Sequence, residues 1–200
     1  MIIVFDTEAT DLVPGQICQL SYLMMDSGVV GKNLFFSVDS MSQGAQEVHG
    51  LSMEMLAELS GGLYFEDQAE DIVADFSRAS LLVGHNVAAD DRYLRVELER
   101  AGVKLKKIPT FCTMNYATGI IGLKRKVEIG RPKPPRLEEL CDHYQISEDM
   151  ILTASSRWFA GGQAAHDARY DTAATFLCLA AAHRKGDLRG VLPDGHVSVL

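Results

Sequence analysis

The chain has 200 residues, an apolar content of 47% and a net charge of −8, values typical of an ordinary globular protein. The negative charge argues against a protein that coats nucleic acid nonspecifically, and no apolar run is long enough to span a membrane. The N-terminus lacks the regions of a secretory signal, and the four widely separated cysteines form no C-x-x-C pair. We therefore expect a cytoplasmic protein with reduced thiols, no zinc site and no membrane association. A single domain is expected over residues 1–186, followed by a C-terminal tail over residues 187–200.

The first 38 residues predict a meander of three strands. The continuous apolar run from Ile2 to Phe5 is typical of a strand that is buried on both faces. A Pro–Gly turn signal at 11–15 precedes a second predicted strand over residues 16–25. A further turn at 26–31 leads into a third predicted strand over residues 33–38.

The remainder of the chain predicts helices and two more short strands, which indicates an α/β fold. The predicted strands cover residues 80–84 and 108–112. A short helix is predicted after Ser52, with Met55, Leu56 and Leu59 on one side. Further helices are predicted over residues 65–79, 88–101, 113–121, 137–144 and 165–185. We interpret residues 39–46 as a polar loop and residues 146–165 as a loop with helical turns.

Positive charge is concentrated in one stretch. Residues 100–136 contain ten Lys or Arg side chains and one acid, Glu128. Such asymmetry indicates a local anionic partner, and the part over residues 122–136, rich in Gly and Pro, is predicted to be a surface loop. The alternative is a solvated loop that keeps the protein soluble.

Two carboxylates follow the first predicted strand. Asp6 and Glu8 are two residues apart, so their side chains point to the same side of a strand. Carboxylates held on one side repel each other, and a divalent cation with oxygen ligands, such as Mg²⁺, removes that cost. The alternative is a strand that ends in solvated acids.

Two later segments also place acids at the ends of buried elements. Asp90 lies in the first turn of the helix after strand 80–84, where the helix dipole favours an acid and capping is the alternative role. His166 and Asp171 are five residues apart, which on a helix is a rotation of about 140°. This spacing predicts a histidine on the loop before the last helix and an acid one turn into it.

Three motifs in register resemble those of the DnaQ-like 3′–5′ exonucleases of the ribonuclease H-like superfamily, in the subgroup with a catalytic histidine (DEDDh). They are D-x-E at 6–8, H-N-x-x-x-D at 85–90 and H-x-x-x-x-D at 166–171. The segments V-H-G at 48–50 and F-C-T-M at 111–114 also resemble family segments, and the likeness spans roughly residues 2–180. Ala89 and Asp11 stand where the family often has an aromatic residue and a glycine, and neither change removes a ligand.

The resemblance implies a ribonuclease H-like α/β fold with a central mixed five-stranded sheet flanked by helices. It implies that Asp6, Glu8, Asp90 and Asp171 hold two Mg²⁺ ions, for which Mn²⁺ substitutes. Two such ions about 4 Å apart stabilise the attacking and leaving oxygens during phosphodiester hydrolysis. His166 would be the general base, because the ordinary pKa of imidazole lies near working pH.

The resemblance further implies a 3′–5′ exonuclease that releases nucleoside 5′-monophosphates, with single-stranded DNA favoured, a role in DNA repair and a possible polymerase or repair partner. The alternatives are a short-RNA exoribonuclease and a non-catalytic nucleic-acid-binding or polymerase-accessory module on the same fold. A small-molecule phosphohydrolase would leave the basic stretch unexplained. The candidate substrate-binding residues are Thr7, His49, Lys124, Arg125, Lys126 and Arg131. For His49 the alternative is a structural role in a turn.

Overall fold

The computed structural model describes residues 1–123, 132–161 and 164–188. Its centre is a five-stranded sheet with the order β3-β2-β1-β4-β5. The strands are β1 (Ile2–Ala9), β2 (Ile17–Met25), β3 (Val29–Phe35), β4 (Leu81–Gly84) and β5 (Thr110–Cys112). The first three are antiparallel neighbours, whereas β1 with β4 and β4 with β5 are parallel pairs. The predicted meander and the mixed five-stranded sheet are therefore confirmed.

The helices of the described chain lie on both faces of the sheet. They are α1 (Gln43–His49), α2 (Met53–Ser60), α3 (Phe65–Phe76), α4 (Val87–Arg100), α5 (Thr113–Ile121), α6 (Leu137–Tyr144), α7 (Glu148–Phe159) and α8 (Ala168–Lys185). Ser52 caps α2 as predicted, because its side chain accepts a hydrogen bond from the Met55 N–H. None of these helices is both long and apolar enough to cross a lipid bilayer.

The strand β1 contributes to a hydrophobic core on each face of the sheet. Ile2 and Val4 pack with side chains of α6, α7 and α8, whereas Ile3 and Phe5 pack with side chains of α3 and α4. All four side chains are fully buried. The prediction of a first strand buried on both faces is confirmed.

Two helices lie where the sequence predicts loops. The predicted loop over residues 146–165 is wrong, because Ser147 caps the twelve-residue helix α7, which buries Ile151 and Phe159. The predicted loop over residues 39–46 is wrong in its second half, where α1 begins. That helix buries none of its residues, so no apolar periodicity indicates it.

Several element boundaries also differ from the predictions. The strand β3 covers Val29–Phe35 instead of residues 33–38, and it starts early because the turn before it is tight and the Asp26 N–H donates to the Gly28 carbonyl at 3.0 Å. The strand β5 starts at Thr110, two residues after its predicted start. The helix α3 ends at Phe76, three residues before its predicted end. The helix α8 starts at Ala168 because Asp167 is its N-cap, with extended backbone angles.

The first residues of the predicted tail pack against the domain. The Tyr144 hydroxyl donates to an Asp187 carboxylate oxygen at 3.0 Å, and Leu188 is buried in the core cluster beneath α6 and α8. Residues 189–200 lie outside the described part of the chain.

Candidate active site

The end of β1 has one open edge, and this positions the candidate site. The parallel pairing of β4 with β1 runs only from Ile2 to Val4, so the later residues of β1 have no strand beside them on that edge. Asp6 and Glu8 continue, at two-residue spacing, the face of β1 on which Val4 packs against α8. Both carboxylates therefore point toward the start of that helix.

Asp171 lies in the first turn of α8 and meets these two side chains. One carboxylate oxygen from each of Asp6, Glu8 and Asp171 lies within 4.8 Å of the others. Asp6 and Asp171 are more than 160 positions apart in the sequence, and the packing of α8 on β1 brings them together. This is a set of oxygen ligands of the kind that hard divalent cations take.

Asp90 is not one of the three residues in the 4.8 Å group, and it approaches them through the open edge of β1. It is buried in the first turn of α4, and its Oδ1 accepts hydrogen bonds from the Thr7 backbone N–H at 3.1 Å and the Thr7 hydroxyl at 2.7 Å. These bonds satisfy a backbone donor that no strand pairs, and they fix Asp90 to β1. Asp90 thus lies in the first turn of α4, where an acid is favoured, and it also connects α4 to β1.

Burial and mutual repulsion change the titration of all four carboxylates. Burial, followed by the charges of Asp90, Asp171 and Glu8, raises the pKa of Asp6 well above its usual range. Burial and then the Asp171 charge likewise raise the pKa of Glu8. Burial raises the pKa of Asp90 to about 7, against the hydrogen bonds from Thr7, and it raises the pKa of Asp171 to about 7.

The charge of this cluster is not balanced by protein cations. In the described ranges, no Lys or Arg forms an ion pair with Asp6, Glu8, Asp90 or Asp171. Four buried or partly buried carboxylates without a counter-ion are costly when ionised. The donor set, composed of hard carboxylate oxygens, therefore fits bound Mg²⁺ or Mn²⁺.

His166 lies beside the cluster on the segment before α8, where the motif spacing predicts it. Its backbone N–H donates to Asp171 Oδ2 at 3.1 Å, and its backbone is left-handed with φ of 64°. Its side chain is exposed. The charge of His166 also helps to lower the pKa of His49, after the larger effect of burial.

A buried amide that sequence reasoning missed anchors the start of α8. Gln19 pairs in register with Glu8 on the neighbouring strand. Its Nε2 donates to Asp167 Oδ1 at 2.9 Å, and its Oε1 accepts from the Ala168 N–H at 3.2 Å. The signal in the sequence is an amide in the mostly apolar run of β2, because a buried polar side chain needs partners.

Asp167 completes this anchor, and sequence reasoning missed it as well. Its carboxylate accepts from the Arg169 N–H at 3.0 Å and forms an ion pair with the Arg169 guanidinium at 2.6 Å. These hydrogen bonds and the Arg169 charge hold the pKa of Asp167 low, although burial opposes them. The Arg169 guanidinium also lies 5.3 Å from the centre of the Phe35 ring. These contacts of Asp167 thus fix the backbone directly after His166.

A groove of about 420 Å³ opens beside Glu8, between the end of β1 and α1. Its walls include Thr7, Ala45, Val48, His49 and Tyr93. The structure thus places two candidate substrate-binding residues, Thr7 and His49, on one groove next to the carboxylates. The Leu51 N–H donates to His49 Nδ1 at 3.1 Å, so this imidazole is neutral and carries its proton on Nε2.

The second motif also contains two residues with structural contacts. The ring nitrogens of His85 lie 3.0 Å from the Thr113 hydroxyl and 3.1 Å from the Pro135 carbonyl oxygen. Asn86, with φ of 69°, is the N-cap residue of α4. His85 therefore ties the end of β4 to α5 and to the chain before α6. The candidates Lys124, Arg125, Lys126 and Arg131 lie outside the described residues.

Comparison with known sequences gives one family and one curated relative. Residues 3–178 match the family model RNase_T, which is described as an exonuclease. DNA polymerase III subunit epsilon of Buchnera aphidicola subsp. Acyrthosiphon pisum (strain APS) is 28% identical over 157 residues, which cover 73% of this chain and 62% of the relative. The chain therefore matches less than two thirds of that relative's length.

Solved structures share the fold at low sequence identity. Exonuclease X, solved with 5′ overhanging duplex DNA, matches with a TM-score of 0.60 and 18% identity over 93% of each chain. Escherichia coli Exonuclease I, solved with a dA16 oligonucleotide, matches with a TM-score of 0.65 and 20% identity over 92% of this chain and 40% of that one. These likenesses confirm the predicted ribonuclease H-like fold.

Proposed function

Since this chain belongs to the RNase_T exonuclease family, we propose that it is a metal-dependent 3′–5′ exonuclease that acts on single-stranded DNA and releases nucleoside 5′-monophosphates. The exonuclease class predicted from the three motifs is confirmed by the family match. The observation that carries the finer proposal is the convergence of Asp6, Glu8 and Asp171 within 4.8 Å. Asp90 is fixed to the same strand end.

The carboxylates have the role of holding divalent cations. Asp6, Glu8, Asp90 and Asp171 would bind two Mg²⁺ ions, and Mn²⁺ would replace them. When bound, such ions stabilise the charge on the attacking and leaving oxygens of a phosphodiester. Thr7 orients Asp90 through its N–H and hydroxyl, so that this carboxylate is aimed before substrate arrives.

His166 would act as the general base and accept a proton from the attacking water on an imidazole nitrogen. Its backbone is held by Asp171 on one side and by the Asp167 anchor on the other, while its side chain is exposed. In this proposal the exposed side chain rotates to aim the ring at a substrate above the carboxylates.

The groove beside Glu8 would hold the 3′-terminal nucleotide. Ala45 and Val48 supply an apolar wall for the sugar and base, and the neutral imidazole of His49 supplies a polar contact. The cations Lys124, Arg125, Lys126 and Arg131 would bind the phosphate backbone further from the end. Binding would then weaken as salt rises, because each phosphate contact releases a counter-ion.

The biological setting is part of the same proposal. The curated relative is named as a subunit of a DNA polymerase, which supports a polymerase or DNA-repair partner for this chain. We place the exonuclease domain at residues 1–186, with residues 187–200 as a tail, and we propose that the protein acts in the cytoplasm.

The test is a degradation assay on 5′-labelled DNA and RNA oligonucleotides of matched sequence, in Mg²⁺ and in Mn²⁺. We expect a ladder that shortens from the 3′ end of the DNA, released 5′-monophosphates, and little loss of RNA. A 3′-blocked DNA is the matched substrate control. Faster loss of RNA would identify a short-RNA exoribonuclease, and no degradation of either substrate would reject catalysis altogether.

The variant His166→Ala separates the proposed base from the metal ligands. We expect it to lower kcat by roughly 10²–10⁴-fold, the contribution typical of general base catalysis. Divalent-ion binding, measured by calorimetry on the isolated protein, should stay within about twofold of wild type, since no metal ligand is lost. Full activity in His166→Ala would remove this residue from the mechanism.

A further inference from the structure

Uncovered apolar side chains are concentrated, along the chain, on α2 and the residues that flank it. Among the described residues, eleven large apolar side chains are exposed, and six of them fall between residues 48 and 64. We call these six residues the α2 face. They are Val48, Met53, Met55, Leu59, Leu63 and Tyr64. Concentrated exposed apolar surface of this kind marks interaction sites, whereas single exposed residues do not.

The helix α2 lacks the packing that a short helix normally needs. It has eight residues, and Leu56 is its single buried residue. Met55 and Leu59, four residues apart and therefore on one face, are 46% and 52% exposed. Helices of this length are marginal without an apolar face packed on other elements. The apolar stripe on α2 is therefore available to another molecule.

The segment of chain that carries this face is acidic along its length. Residues 33–77 contain nine Asp or Glu and no Lys or Arg. Within the described chain, Asp75 is the one acid of these nine that forms an ion pair, with Lys32 at 2.6 Å. Glu54 and Glu58 form a second stripe on α2, adjacent to the apolar stripe.

The sign of this charge excludes two classes of occupant. Phosphates of nucleic acid and anionic lipid surfaces would both be repelled by a segment with nine acids and no Lys or Arg. A protein with Lys and Arg beside an apolar stripe matches both features. Parallel apolar and acidic stripes along a helix suit a second helix laid against it.

We propose that the α2 face binds a basic amphipathic helix of a partner protein, with apolar residues of that helix on Met55 and Leu59 and its Lys or Arg residues on Glu54 and Glu58. A second copy of this chain is a poorer occupant. The segment 33–77 has no Lys or Arg, so a second copy would have to offer cations from another part of its chain, and the pairing would be head to tail and would not close into a dimer.

The proposed helix-binding face lies near the candidate active site. Val48 belongs to the α2 face and also lines the groove beside Glu8, next to His49. The residues of α2 itself do not line that groove, so a helix laid on Met55 and Leu59 would leave the carboxylates open. This interaction does not depend on the proposed nuclease reaction, since none of the four carboxylates takes part in it.

The test measures binding of a fluorescein-labelled Lys/Leu amphipathic peptide of about five helical turns to the full chain in Mg²⁺. A Glu/Leu peptide with the same order of residues is the peptide control. We expect the Lys/Leu peptide to bind at least about tenfold more tightly, because like charges oppose the control. Amide chemical shifts of the ¹⁵N-labelled protein should change mainly between residues 48 and 64.

Paired variants locate the contact. Met55→Ser with Leu59→Ser should weaken binding of the Lys/Leu peptide about tenfold, and Glu54→Gln with Glu58→Gln about threefold at low salt. The matched control is Val30→Ser with Met150→Ser, which changes two exposed apolar side chains on β3 and α7. It should bind the peptide as wild type does, and thermal unfolding should show that all three variants fold.

Three results would overturn the proposal. The first is equal binding of the Lys/Leu peptide to wild type and to the Met55→Ser/Leu59→Ser variant. The second is a set of shift changes centred on Asp6, Glu8 and Asp171. The third is a sedimentation result in which wild type is a dimer and this variant a monomer, because a second copy would then be the occupant. Asp6→Asn should bind the peptide normally, so loss of nuclease activity and loss of docking are distinguishable.

Discussion

Asp90 accepts two hydrogen bonds from one residue, Thr7, through the backbone N–H at 3.1 Å and the hydroxyl at 2.7 Å. This contact joins the first turn of α4 to the open edge of β1. Asp90 is 83 positions from Thr7 in sequence, and these two bonds hold its carboxylate beside the acids of the first motif. The alignment of Asp90 therefore depends on the side chain between the two acids of the first motif.

Thr7→Val removes the hydroxyl donor and keeps the side-chain shape and the backbone donor. A buried carboxylate that loses one hydrogen bond is destabilised by about 1–3 kcal/mol in its ionised form. We expect kcat for oligonucleotide degradation to fall about tenfold or more. Thr7→Ser, which keeps the hydroxyl, should retain most activity, and equal rates for the two variants would show that the hydroxyl is irrelevant.

The stability of the metal-free protein should depend on pH in a defined direction. Burial raises the pKa of Asp90 and of Asp171 to about 7 in the folded protein, above the usual range of an unfolded carboxyl group. The folded state then binds more protons than the unfolded state between about pH 4 and pH 7, so the free energy of unfolding falls as pH rises through that window.

Thermal unfolding in EDTA at pH 5.5 and pH 8.0 measures this effect. We expect a lower Tm at pH 8.0, and a larger increase in Tm on addition of Mg²⁺ at pH 8.0 than at pH 5.5, since ionised carboxylates bind the cation. A Tm in EDTA that rises from pH 5.5 to pH 8.0 would contradict the repulsion inferred for this cluster.

Asp6→Asn should separate activity from stability. The amide has nearly the shape of the carboxylate but no charge, so it relieves repulsion by Glu8, Asp90 and Asp171. We expect nuclease activity to fall at least about 10³-fold, by analogy with the loss of other transition-state charge stabilisers. In EDTA at pH 8.0 its Tm should equal or exceed that of wild type. A markedly lower Tm in EDTA would show that Asp6 is a structural acid.

Gln19→Leu should damage the start of α8. The leucine leaves the Ala168 N–H and one Asp167 oxygen without the amide that now bonds them. An unsatisfied buried polar group costs about 1–3 kcal/mol, and we expect a loss of this size in urea unfolding together with a lower kcat. Gln43→Leu, at an exposed position on α1, is the matched control and should change neither quantity appreciably.

Gly31→Ala should destabilise the contact between β3 and α7. A Cβ at this position would lie 2.6 Å from the Trp158 carbonyl oxygen, so strand and helix must separate. We expect a loss of about 1–3 kcal/mol in the free energy of unfolding, as for other overpacked sites. Gly28→Ala, where a Cβ would meet no atom within 4 Å, is the control. Similar unfolding curves for the two variants would show that β3 and α7 can move apart to accommodate the added methyl group at little cost in stability.

Much of the fold was predictable because it depends on patterns among residues that are close together in sequence. The apolar run of β1, the cap at Ser52 and the spacing of the third motif each involve residues close together in sequence. The missed helix α1 has no buried residue, and its pattern is therefore that of a polar loop. Met55 and Leu59 form an apolar stripe in the sequence, but nothing local indicates that the stripe stays exposed.

The sequence by itself determined the order of the three motifs, the first strand and the family, because short-range periodicity and residue type are sufficient for those. The tertiary structure alone decided that Gln19 holds Asp167 across 148 positions and that Thr7 holds Asp90. It also decided that α2 is left uncovered. The physical reason is that such contacts depend on how α4 and α8 pack on β1 and β2, and side-chain geometry across a sheet is not encoded in the spacing of neighbours along the chain.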